Sequence, residues 1–245
     1  MKNIKIKIEY EGTNYCGWQT QTDLPTIQET IENQLKAITG ENIKIYGSGR
    51  TDSGVHALEQ VANFKSETKL SSRQLLMALN STLPEDISII SVEEMTDDFH
   101  AQYSCKSKIY LYRILNRDYP SALLRNKAWY LPKKLKLTKI REACRLLVGE
   151  HDFSAFAKSD LTVKTTVRNV KDVKLKKTKD GIIEFEIEAD GFLKRMVRLI
   201  VGTLVEVGRE KITPGEFKDI LDSGIKTQNV VAAPASGLFL KKVIY

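Results

Sequence analysis

Residues 2–9 (KNIKIKIE) place an apolar side chain at every second position, the period of a half-buried strand. The period then changes. Pro25 opens a segment in which Ile27, Ile31, Leu35 and Ile38 recur at spacings of three and four, closed by Gly40, and this predicts a helix. Residues 42–47 and 58–65 (LEQVANFK) read as strands on either side of a Gly-rich turn. Ser71 or Ser72 caps a helix carrying Leu75, Leu76 and Leu79, and 87–92 (ISIISV) return as a strand. The resulting order, β-α-β-β-α-β, is that of a ferredoxin-like split βαβ unit.

The second half has the same flavour. A strand pattern at 107–115 (SKIYLYRIL) precedes a helix near 138–148 and strands near 165–176 and 182–189. A helix from Phe192 to about Val207, another opening at Thr213-Pro214, and a final strand at 238–244 complete it. The expected fold class is α+β, with two similar ferredoxin/RRM-like halves, mainly antiparallel sheets packed together and helices on the outer faces. The halves are 1–104 and 105–245, with a boundary near 100–106. No low-complexity linker separates them, so they are expected to pack closely.

Composition narrows the class. A hydrophobic share of 42% and a charged share of 28% are those of a globular chain, not a disordered one. No apolar run approaches the roughly 20 residues that span a bilayer. The opening MKNIKIKIEY lacks the continuous apolar stretch of a signal peptide, which predicts a cytoplasmic protein. Cys16, Cys105 and Cys144 are odd in number and far apart, which argues against a disulfide framework or a Cys-based metal site. Lys and Arg number 38 against 31 Asp and Glu, a net charge of +7. Residues 101–150 hold twelve Lys/Arg and three Asp/Glu, a net +9 that exceeds the charge of the whole chain. With Tyr110, Tyr112, Tyr119 and Trp129 interleaved, that segment suits a polyanion with exposed bases. Composition alone still favours a solvated lysine-rich face.

The sharpest local feature is Gly47-Ser48-Gly49-Arg50-Thr51-Asp52-Ser53-Gly54-Val55-His56-Ala57. Three glycines in eight residues, between two strand-like segments, mark a loop that needs positive φ or close approach by another backbone. Into it the chain places a cation, a hydroxyl, one carboxylate and an imidazole. A plain capped turn would use Asp52 only to bond neighbouring amides. The loop lacks the Gly-Lys-Ser/Thr ending of a P-loop and leads into a strand. One Asp and one His make half a metal site, and His100 and His151 lie far off in sequence. No Gly-x-Ser-x-Gly elbow occurs, so a small-molecule hydrolase lacks its activated nucleophile.

Residues 49–57 (GRTDSGVHA) closely resemble the signature of the TruA family of tRNA pseudouridine synthases, and the resemblance covers the whole chain. Tyr10-Glu11-Gly12 with Tyr15-Cys16-Gly17-Trp18-Gln19 is similar to the family's opening motif. Asp98-Phe99-His100-Ala101 followed by Tyr110-Leu111-Tyr112 resembles its middle motif, and Phe192-Leu193-Lys194-Arg195-Met196-Val197-Arg198 with Gly202 and Gly208 its helix. Ala233-Pro234 and Gly237-Leu238 resemble its closing strand. Glu11 stands where Asp is usual, Ser53 where Ala is commoner, and Gln102 where Arg is frequent; the last removes one possible phosphate contact.

The resemblance implies an isomerase that converts uridine to pseudouridine at positions 38, 39 and 40 of the tRNA anticodon stem-loop. It implies a homodimer with a central RNA-binding cleft and no membrane. Breaking the N1–C1′ bond, turning the uracil and rejoining through C5 involves no redox change, so no cofactor and no metal is expected. The resemblance assigns the catalytic carboxylate to Asp52, as nucleophile. Addition to ring or sugar and removal of a sugar proton remain open at this stage. Arg198 is implied as its salt-bridge partner; a guanidinium among Met196, Val197, Leu199 and Ile200 would be costly unpaired, although an Arg on an amphipathic helix can also snorkel. Tyr110 resembles the active-site tyrosine that stacks on the target base. Tyr112, on the same strand face, suits the core equally. Arg50 is expected to hold the target nucleotide out of its stack, since the reacting atoms are inaccessible in a paired stem. His56 reads as structural, and Trp18 and Gln19 as loop residues placed to touch RNA, although a lone Trp more often packs. The main rival, a non-catalytic module of two RRM-like halves, would show an RNP1-like aromatic strand, and none occurs.

Overall fold

The computed structural model describes residues 1–158 and 163–245. They fall into two compact units, Met1–Lys106 with Phe239–Tyr245, and Ser107–Leu238.

In the first unit, β1 (Lys2–Tyr10) buries Ile4, Ile6 and Ile8 on one face, as its alternation predicts. Then follow α1 (Ile27–Thr39), β2 (Tyr46–Gly47), β3 (His56–Ser66), α2 (Ser72–Thr82) and β4 (Ile87–Met95). The strands lie in the order β4-β1-β3-β2, all antiparallel, which is the split βαβ arrangement. Helix α1 packs Ile27, Ile31 and Leu35 inward and ends on Gly40 at φ 75°, whose N–H donates to Lys36 O. At α2 the Ser71 hydroxyl accepts the Gln74 N–H and Gln74 accepts the Ser71 N–H, a reciprocal cap.

One element of this unit is much shorter than expected. The strand predicted over 42–47 shrinks to Tyr46–Gly47. Ile43 and Ile45 are buried, but the Ile45 N–H donates to Glu32 Oε1 (2.9 Å) and its carbonyl accepts from Gln28 Nε2 (3.3 Å). Side chains of α1 thus occupy groups that a strand ladder would need.

In the second unit, β5 (Ser107–Leu115), β6 (Trp129–Tyr130), α3 (Leu137–Arg145), β7 (Gly149–Asp152), β8 (Val167–Lys177), β9 (Ile182–Ala189), α4 (Met196–Gly208) and α5 (Pro214–Ser223) follow in order. Its sheet runs β5-β9-β8-β7, antiparallel, with β6 parallel to β5. The short β6 and β7 carry little alternation and escape a pattern reading. Helix α4 begins at Met196, four residues after the predicted Phe192. Arg195 sits at φ 66°, and a left-handed residue cannot continue a right-handed helix. Every α4 residue except Arg198 is buried. Thr213 and Glu216 cap α5 reciprocally, with Pro214 in its first turn. The last strand, β10 (Leu238–Ile244), runs parallel to β3, pairing Phe239 with His56 and Leu240 with Ala57. Among the described residues no helix is long and apolar enough to cross a membrane.

Candidate active site

Gly47 ends β2 and His56 begins β3, so loop 48–55 is slung between two paired strands. A second loop, residues 11–20 leaving β1, is bonded along it. The Trp18 N–H donates to Thr51 O (3.1 Å) and the Gly54 N–H to Tyr15 O (3.3 Å). Ser53 Oγ donates to the same Tyr15 carbonyl, and the Tyr10 hydroxyl and Thr51 Oγ1 lie 2.8 Å apart. Burial pushes the Tyr10 phenol up, so it stays protonated for that bond. The Val55 N–H closes the turn onto the Asp52 carbonyl. Only glycine permits so close an approach. A Cβ on Gly12 would lie 2.0 Å from Val55 O, and one on Gly17, at φ +95°, 2.6 Å from Thr51 O. Asp52 therefore stands half-buried on a backbone fixed on both flanks.

The neighbouring residues explain the stiffness. Ser48 Oγ donates to Gln60 Oε1 (2.7 Å), and Gln60 Nε2 returns a bond to Gly49 O (3.0 Å). The Tyr15 hydroxyl donates to Asp86 Oδ1 at 2.6 Å, anchoring the opposing loop to the start of β4. His56 is buried, stacks on Phe239 and accepts the Gly12 N–H on Nδ1 at 3.0 Å, so in the neutral ring the proton sits on Nε2. It acts as a brace. Of the two readings for Trp18, packing holds: it is 2% exposed and its ring lies where a Gly47 Cβ would be, so it does not present a face to RNA. Gln19 contacts Arg50, which is exposed and shares the Asp52 loop. The middle motif also braces. Ala101 donates to Asn63 Oδ1 and accepts from the Tyr245 hydroxyl.

Tyr110 and Arg198 belong to the second unit. Tyr110 is buried on β5 with its ring edge-on to Phe192, centroids 4.8 Å apart. Two residues on, Tyr112 is fully buried and donates its hydroxyl to Pro234 O at 2.8 Å. A Cβ on Gly237 would strike its ring at 2.6 Å, which accounts for the glycine of the closing motif. Tyr112 is core. Arg198, half-buried on α4, donates Nε to Ala233 O (2.8 Å), while the Ala233 N–H donates to Arg198 O (2.9 Å). The guanidinium is tied to the chain, not extended into water from a free helix face. Burial raises the Tyr112 phenol well above its ordinary range, and the Arg198 charge opposes that rise. Gly202 lets α4 approach residues 231–233; a Cβ there would lie 1.9 Å from Val231 O.

The sequence profile of a family described as tRNA pseudouridine synthase matches residues 6–104 and 143–245. The chain belongs to the TruA family of tRNA pseudouridine synthases. It is 47% identical over 245 residues to tRNA pseudouridine synthase A 2 of Clostridium perfringens (strain 13 / Type A), covering 100% of both chains. It is 46% identical over 245 residues to tRNA pseudouridine synthase A of Thermoanaerobacter sp. (strain X514), again covering 100% of both. Among solved structures it resembles an archaeal box H/ACA sRNP Nop10-Cbf5 complex at 14% identity and TM-score 0.38, covering 84% of this chain and 44% of that one. That likeness is too distant to bear on the site. Within a pseudouridine synthase the motif glycines have a clear purpose: Gly12 and Gly17 admit the Asp52 loop, and Gly202 and Gly237 set the surroundings of Arg198 and Tyr112. Sequence reading missed Gln28, Gln60 and Asp86, whose roles come from partners far along the chain.

Proposed function

We infer that this chain isomerises uridine to pseudouridine in tRNA, at positions 38, 39 and 40 of the anticodon stem-loop. The observation that supports this most strongly is the Asp52 loop, a single carboxylate on a glycine-admitted, doubly braced turn, in a chain alike over its full length to synthases of this name. The roles of the side chains are part of the proposal. Asp52 serves as the nucleophile at the target nucleotide. Arg198 supplies the positive charge that balances that carboxylate when RNA displaces water. Tyr110 stacks on the uracil as it turns, and Arg50 holds the nucleotide out of the stem. The N1–C1′ bond breaks, the uracil turns without leaving, and C5–C1′ forms; the C5 proton departs and N1 gains one. No atom or electron is gained overall, so the reaction makes no demand on a cofactor or metal.

The similar halves with a central RNA-binding cleft, the homodimer and the cytoplasmic setting complete the proposal, and they rest on the family resemblance. Because C5 loses its hydrogen, tRNA carrying tritium at uridine C5 provides a direct test. Purified protein alone should release about one tritium per reactive uridine at positions 38–40. A tRNA with cytidine at all three positions should release none. Equal release from that control would overturn the positional assignment, and no release from either tRNA would overturn the activity.

A further inference from the structure

The Arg50 guanidinium has one hydrogen-bond partner among the described residues. Its Nε–H donates to Gln19 Oε1 at 3.1 Å. A guanidinium only donates, whereas a primary amide can present oxygen or nitrogen, so this bond needs the Gln19 amide turned one way. The turn is dictated from inside the protein. Gln19 Nε2 donates to Gln28 Oε1 at 2.8 Å. Gln28 Nε2 donates to Glu32 Oε1 at 2.9 Å and Ile45 O at 3.3 Å. Gln28 cannot reverse, because the Ile45 carbonyl can only accept and the Thr20 N–H, 3.3 Å from Gln28 Oε1, can only donate. Glu32 is itself held by the Ile45 N–H. One-way links therefore run from buried α1 to the surface loop beside Asp52.

We propose that Gln28 is a positioning residue for this reaction, aiming an amide oxygen at Arg50 through Gln19 so that the guanidinium meets the target nucleotide in one orientation. This rests on the reading of Arg50 as the residue that holds that nucleotide. An exposed arginine is otherwise free over many rotamers, and an anchored Nε leaves its Nη groups to a phosphate or base edge. Gln28, 3% exposed and three links away, touches no substrate.

The test is a double-mutant cycle read by single-turnover pseudouridine formation and by tRNA Kd, on wild type, Gln28→Met, Arg50→Ala and the double variant. Gln28→Met should slow the single-turnover step about tenfold with Kd changed less than about threefold, the loss expected for a hydrogen bond used in orientation. In the Arg50→Ala background it should change the rate less than about twofold, because its effect passes through Arg50. Gln19→Met, at a less buried site, should behave the same way and guards against a folding defect at Gln28. Equal slowing by Gln28→Met in both backgrounds, or none in wild type, would overturn the relay. An Arg50→Ala protein as fast as wild type would overturn the Arg50 reading and the relay with it, and that single variant shows it separately from the glutamine variants.

Discussion

In the proposed site Asp52 serves the chemistry as a charge in a fixed place, and those two requirements come from different sources. Place comes from the bonds around Thr51, Gly54 and Val55. Charge, in the proposed site, comes from Arg198. Arg198→Leu should lower single-turnover activity by about tenfold or more, since a carboxylate taken out of water is costly without its counter-charge. Thermal melts should change little, because Leu suits α4 and the bond to Ala233 O is worth about 1 kcal/mol. A mutant rate equal to wild type would reject the pairing. At this scale the motif residues were legible in the sequence, but single aromatic residues were not: Trp18 and Tyr112 have the same local pattern whether they pack or face RNA, and distant Gly47 and Gly237 decide it.

The glycines act on whole elements. Gly17→Ala adds a Cβ 2.6 Å from Thr51 O at a φ of +95°. The 11–20 loop should move off the Asp52 loop, at a cost of roughly 2–3 kcal/mol, with activity falling more than stability alone explains. Melts paired with single-turnover rates on folded protein check this. Helix α4 ends in a different kind of support. Glu206 accepts Arg209 Nη1 at 2.8 Å and Lys211 Nζ at 2.6 Å. Burial would raise its carboxyl, but those hydrogen bonds outweigh burial and hold it below the usual glutamate range. A lowered carboxyl contributes stability above its unfolded value, near 4.5, and loses it as pH falls through the folded value. Glu206→Gln should thus cost roughly 1 kcal/mol at pH 7 and progressively less as pH falls below 4.5, by chemical denaturation. Element order along the first unit was legible because period two and period 3.6 alternate cleanly there. The lengths of β2 and α4 were not. A Gln and a Glu on α1 capture Ile45, and a left-handed Arg195 delays the helix, and neither leaves a local signature.

Across the whole molecule, charge is the property that reading from sequence places best and interprets least. Lys133, Lys134 and Lys136 are exposed, whereas Lys139 pairs with Glu210 at 3.0 Å. Neutralising the first three should flatten the slope of log tRNA affinity against log salt by roughly one unit per lost phosphate contact, and neutralising Lys139 should do less. An unchanged slope for the triple variant would mark those lysines as a solvated face. In the proposed reaction one carboxylate, Asp52, makes pseudouridine in the anticodon stem-loop. Carbodiimide mapping of unmodified tRNA after incubation with wild type or Asp52→Asn tests it most directly, alongside tRNA binding. Wild type should give stops at positions 38–40 wherever uridine occurs, and Asp52→Asn none, with affinity kept within a few-fold. Stops from the Asp52→Asn protein at the wild-type rate would contradict the account.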